Sequence, residues 1–99
     1  MLYSIVGIDV ENSLQARLAA RPQHVDRLKA LVDQGRLILA GPNPAIDSSD
    51  PGNAGFTGSI IIAEFDSLAD ARDWADQDPY LLTGVYASVE VKPFNQALP

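Results

Sequence analysis

Residues 56–65 read FTGSIIIAEF, and the preceding apolar run, residues 36–41, reads RLILAG. Both are short and rich in aliphatic side chains, and both are bounded by glycine, proline or charged residues, which predicts strands. Between them, Pro42 to Gly55 holds three prolines, two glycines, two asparagines and two aspartates, so that stretch reads as a loop or irregular hairpin. Two strands thus follow one another with no helix between them, and Gly58 marks a position for a bulge. The rest of the chain must be arranged around this central pair.

Upstream, Ser13 can cap a short helical turn, LQARLAA, which Pro22 is expected to interrupt because proline pushes the preceding residue out of the helical region. Pro22 then suits the first position of a second helix, running to about residue 34 and closed by Gly35. Val25, Leu28, Leu31 and Val32 give that helix one apolar face. Downstream, Ser67-Leu-Ala-Asp70 has capping-box spacing with aspartate in place of glutamate. Leu68, Ala71, Trp74 and Ala75 form an apolar stripe, and Pro79 stops the helix. Strands at each end, LYSIVGID over residues 2–9 and VYASVEVK over residues 85–92, complete the order β-α-β-β-α-β. That order predicts a ferredoxin-like α+β fold, a four-stranded antiparallel sheet with its helices on one face.

Ninety-nine residues make one domain, 1–99. A chain of this mass folds to about 5,500 Å² of surface, burying roughly 64% of what it exposes unfolded, a thin core for a solitary monomer. The first strand is apolar on both sides, with Leu2, Val6 and Ile8 on one and Tyr3, Ile5 and Gly7 on the other, and the three isoleucines at 60–62 repeat the pattern. A sheet apolar on both faces calls for a second layer, which a second copy of the chain supplies most simply. A homodimer is therefore expected, with higher assembly left open, and Ile5 is taken as an open-face position. Seven basic against thirteen acidic residues repel a phosphate backbone, and the basic cluster at Arg17, Arg21, Arg27, Lys29 and Arg36 is interleaved with acids, so no nucleic-acid partner is expected. The longest strictly apolar run is Ile60 to Ala63, too short for a membrane. The absence of cysteine and of an export-like start suits the cytoplasm.

His24 is the only histidine. It lies about 50° from the centre of its helix's apolar face, at the edge of the core where a cleft would form. Its expected place two residues into a helix puts the positive end of the dipole against an imidazolium, favouring the neutral base. Asp78 is expected to end the second helix, where a carboxylate is unfavourable, and the following proline aims its side chain in a fixed direction. Asp78 could accept a hydrogen bond from one imidazole nitrogen and fix the tautomer. Arg17 and Arg21 could clamp an anionic substrate, or simply pair with the acids. The glycines at 52, 55 and 58 precede a strand instead of opening a helix, so no phosphate loop is read. Neither a metal site nor a serine-nucleophile elbow has support.

ARPQHVDRL, GRLILAGPNPAID, GFTGSIIIAEF, WADQDPYLLTGVY and VEVKPF, in that order, resemble the YciI family over Met1 to Phe94. The resemblance implies a ferredoxin-like chain assembling as a dimeric α-β barrel, with an active site centred on a histidine and an aspartate. The histidine is His24; the aspartate is assigned to Asp78, with Asp9 at the end of the first strand as the competing choice. The expected function is a cofactor-independent enzyme that moves a proton on a small anionic or aromatic molecule, in an elimination or isomerisation. Arg21 or Tyr80 would hold substrate charge. The alternatives are a non-catalytic small-molecule-binding or regulatory dimer and a partner-binding module. The loop from Pro42 to Gly55 is expected to border the His24 pocket as a rim or lid.

Overall fold

β1 (Leu2–Asp9), β2 (Leu37–Pro44), β3 (Phe56–Glu64) and β4 (Tyr86–Phe94) form one sheet in the order β2-β3-β1-β4, with every neighbouring pair antiparallel. Between β1 and β2 runs α1 (Leu14–Asp33); between β3 and β4 run α2 (Leu68–Asp76) and the four-residue α3 (Pro79–Leu82). The computed structural model describes all residues from Met1 to Pro99. This is the ferredoxin-like α+β arrangement that the order of elements predicts.

α1 is one helix and not two. Pro22 sits inside it, where it removes the bond its missing N–H would have donated to the carbonyl of residue 18. Leu18 and Pro22 both lie on the solvent side of α1, so water can serve that carbonyl and the helix continues. Ser13 occupies the N-cap position without making a side-chain cap, because its hydroxyl is spent on Asp9 at 2.7 Å. Ser67 does cap α2 as expected, accepting from the Asp70 N–H at 3.1 Å. The expected apolar face of α1 is only partly used: Leu31 is buried, Val25 and Leu28 are half-buried, and Val32 is 57% exposed.

The helices cover the face carrying Tyr3, Ile5 and Gly7. Tyr3, Ile5, Ile61 and Ala63 pack with Leu31 from α1 and with Ala71 and Ala75 from α2. Each large aliphatic side chain buried there contributes about 1.5–3 kcal/mol. Ile5 is thus a core residue, 3% exposed, and not the open-face residue expected. The open face presents Leu2, Val6 and Ile8 beside Ile60 and Ile62, with Leu39 opposite Ile62.

Along the covered face the side chains shrink toward one end. The row Ala40–Ile61–Ile5–Val91 is succeeded by Pro42–Ser59–Gly7–Val89. Ser59, in place of an isoleucine, leaves room between sheet and helix beside Pro42, and that room is the cleft described below. The ring of Tyr86 lies over Gly7, where an added Cβ would stand 2.5 Å from its Cζ. At Gly58 an added Cβ would collide with the backbone carbonyl of Gly7. Gly58→Ala is therefore expected to cost at least the ~1–3 kcal/mol typical of overpacking, because a strand must move. Gly41→Ala meets nothing within 4 Å and is expected to stay within about 0.5 kcal/mol of the parent. Urea unfolding of the two variants checks the contrast.

The stretch expected to be a loop is more regular at its start, since β2 continues to Pro44. Of Pro42–Gly55 only Pro42 reaches the cleft wall. Ala45, Ala54 and Gly55 instead line shallow grooves near Asp9 and Leu14, so the stretch as a whole is not a lid over His24.

Candidate active site

The unbroken α1 sets the site. Arg17, Arg21, His24, Val25 and Leu28 lie within about 100° of one another around a continuous helix, and all five line one cleft. Two separate helices would not have held Arg17 and Arg21 in register with His24. Across the cleft stand Ser59 and Ile61 of β3, Ala40 and Pro42 of β2, and Tyr80 of α3. The cavity measures about 160 Å³. An enclosed cavity of ~150 Å³ takes one benzene-sized ring, so the cleft has room for a single ring.

His24 is in the middle of α1, so the dipole argument made from a helix start does not apply. What fixes its ring is Asp78. His24 Nδ1 lies 2.8 Å from Asp78 Oδ1 and 3.0 Å from Oδ2, and both side chains are buried. An ionised carboxylate only accepts, so Nδ1 carries the proton and the neutral ring keeps its lone pair on Nε2. Nε2 makes no hydrogen bond within the chain. The Tyr80 ring stacks on the imidazole, with centroids 3.8 Å apart and planes 13° from parallel.

Asp78 does not end α2. It is the N-cap of α3, accepting from the Tyr80 N–H at 2.9 Å, and Pro79 is the first residue of α3. Its extended backbone follows from the proline after it, as the sequence predicts. One carboxylate therefore caps a turn, orients a histidine and places the tyrosine stacked on it. Arg27 steadies the same corner: its Nη2 donates to the Trp74 carbonyl at 2.7 Å, and its guanidinium lies 4.3 Å from the Trp74 ring centre. Burial works against the charge on Arg27, and the nearby charge of Asp78 partly offsets it.

Asp9, the competing aspartate, belongs to a different cluster. It accepts from Arg17 Nε at 2.7 Å and Nη2 at 3.2 Å, and from Ser13. Arg17 Nη2 also donates to the Gly58 carbonyl at 2.8 Å and to Ser59 Oγ at 2.6 Å. Burial opposes the Arg17 charge, but the hydrogen bond and charge of Asp9 outweigh it and hold the guanidinium above its ordinary value. Arg17 lies 4.7 Å from the Tyr80 ring centre. Arg21, at the mouth, makes no ion pair. Burial pushes the Tyr80 phenol up, while Arg17 and Arg21 pull it back. His24, Asp78, Tyr80, Arg17 and Arg21 thus converge, while Asp9 acts behind Arg17. No three histidine or carboxylate side chains gather as a metal ligand set. Ser59 and Arg27 were not singled out from sequence as site residues: a serine in an apolar strand and one arginine among the four basic residues of α1 carry no local signal.

The YCII-related domain family matches residues 1–95. The chain is 58% identical to Protein YciI of Escherichia coli over 96 residues, 97% of this chain and 98% of that protein. An uncharacterized protein of Haemophilus influenzae is 56% identical over the same shares. Among solved structures, the 5-chloro-2-hydroxyhydroquinone dehydrochlorinase of Burkholderia phenoliruptrix, in complex with 2,5-dihydroxybenzoquinone, superposes with a TM-score of 0.83 at 25% identity, covering 96% of this chain and 94% of that one.

Proposed function

The chain belongs to the YCII-related family, and from that premise we propose that it is a cofactor-independent acid–base enzyme acting on a small anionic or aromatic molecule. The observation that carries this reading is the buried His24–Asp78 contact at 2.8 Å, with Nε2 left without a protein partner on a residue that lines the cleft. His24 Nε2 takes a proton from a carbon beside a ring carbonyl, or from a hydroxyl conjugated with one through a ring double bond. The freed electron pair moves onto the carbonyl oxygen, and Asp78 stabilises the imidazolium through Nδ1. Arg21 and the Tyr80 phenol hold the charge that develops. Loss of a leaving group completes an elimination; return of the proton elsewhere completes an isomerisation. A similar chain that is a dehydrochlorinase bound to a dihydroxybenzoquinone supports both the ring size and the reaction class. A cytoplasmic place of action accords with the lack of cysteine.

The test is a panel of hydroxylated phenols, quinones and enolisable ring acids, read by NMR for deuterium exchange or loss of substituent in D₂O. Exchange with at least one compound is expected. Thermal stabilisation by several compounds with exchange of none would replace this reading with the binding-only alternative.

The same reading includes a homodimer. Ile8 is 51% exposed, Leu39 48% and Ile60 37% on the open face, and the chain exposes 6075 Å², against about 5,500 Å² for an average monomer of its mass. Light scattering should report twice 10.6 kDa. Val6→Glu, which strikes the open face, should halve that mass, and a clean monomer at high micromolar concentration overturns the dimer.

A further inference from the structure

We propose that Ser59, backed by Arg17, holds the ionised oxygen that the ligand brings, apart from the charge that develops at Arg21 and Tyr80, and that the cleft selects a single-ring planar molecule bearing such an oxygen. This rests on reading the cleft as the ligand site and names a chemical class for it.

Ser59 is 3% exposed yet lines the cleft. Its Oγ accepts from Arg17 Nη2 at 2.6 Å, and the Tyr86 phenol is the other polar group beside it. The hydroxyl oxygen is thus committed as an acceptor, and its own proton remains to be donated. Donation from a guanidinium into that oxygen polarises the O–H and strengthens it as a donor. The neighbouring phenol of Tyr86 is pushed up by burial, against the pull of the Ser59 hydroxyl, and stays neutral, so it offers only an uncharged oxygen. A ligand oxyanion is the better acceptor, since charge-assisted bonds are about twice as strong as neutral ones.

Arg17 is equally prepared. Nε and Nη2 are fully engaged by Asp9, the Gly58 carbonyl and Ser59, whereas Nη1 has none of these partners and the Tyr80 phenol is the remaining polar group beside the guanidinium. The fork is held rigid on one side and left with a donor on the other, the arrangement that loses least entropy on binding. Pro42 and Gly7 flank Ser59 in the sheet and bring no competing acceptor side chain. His24 reaches the same cleft from α1, so a ring with its oxyanion at Ser59 shares the cavity with Nε2.

Calorimetry with two rings of equal size decides the matter: 2,5-dihydroxybenzoquinone, ionised at pH 7.5, and hydroquinone, uncharged there. The parent protein should prefer the anion. Ser59→Ala should weaken the anion about ten- to a hundredfold, the effect of one hydrogen bond to a charged group, and leave hydroquinone within about twofold. The variant should fold, because Arg17 Nη2 keeps the Gly58 carbonyl and Asp9. Ser59→Thr, which retains the hydroxyl, should retain the preference. No preference in the parent, or equal loss for both rings in Ser59→Ala, overturns the proposal. The outcome is separable from the acid–base reading: preference without proton exchange defeats that reading alone, and exchange without preference defeats this one alone.

Discussion

Asp78→Asn is expected to lower turnover in the exchange assay by about 10²–10⁴-fold, the range attributed to a positioned general base, and His24→Asn is expected to lower it as far. Asp78 Oδ1 accepts from the Tyr80 N–H and is also the oxygen nearer His24 Nδ1, so an asparagine there can keep both contacts while it replaces Oδ2, 3.0 Å from Nδ1, with an uncharged NH₂. What the variant loses is the negative charge beside the imidazolium that forms on proton transfer, so His24 becomes a weaker base. The fold should survive, because asparagine is as good an N-cap as aspartate. Unfolding midpoints near the parent's would assign the loss to the missing carboxylate charge and not to collapse of α3. The double variant should be no slower than either single one, since the two groups act as a unit. Near-parental turnover in Asp78→Asn would remove Asp78 from the proposed machinery.

The strands and the α2 cap were legible because each depends on neighbours in sequence: apolar runs between breakers, and a serine three residues before an acidic residue. The ferredoxin-like order followed from them. The course of the chain through Pro22 was not legible, because the cost of the proline is offset by packing of α1 on the sheet, which no local window contains. The same holds for Ile5: alternation separates two faces but does not say which one the helices cover. The His24–Asp78 pair was legible by residue type, and the proline after Asp78 does hold it extended, yet the two helix-end arguments given for the pair did not hold. His24 is not at a helix start, and Asp78 begins a helix instead of ending one. Ser59 was invisible because its partner Arg17 is 42 residues away and meets it only when β3 lies beneath α1.

Asp9→Ala is expected to destabilise the fold by about 3–5 kcal/mol, the cost of leaving a buried charge without its partner. The Arg17 and Asp9 side chains are 6% and 1% exposed. Arg17 does not shed its proton to escape, since a guanidinium stays charged in proteins and the Gly58 carbonyl and Ser59 still accept from it. Without Asp9 the guanidinium loses two donors' worth of acceptor, and the Ser13 hydroxyl loses its partner as well. Folded domains are stable by only about 5–15 kcal/mol, so this single change should take a large share, visible as a shifted urea midpoint. The double variant Asp9→Leu with Arg17→Met removes both charges at once and should recover most of that stability, as replacing a buried ion pair by apolar groups commonly does. It should not recover preferential binding of 2,5-dihydroxybenzoquinone, because Ser59 then lacks the guanidinium that polarises it. If the double variant folds well and still prefers the anion, Arg17 is a fold element alone and the charge is held elsewhere. If Asp9→Ala costs less than about 1 kcal/mol, the pair is not desolvated in solution as its exposure implies.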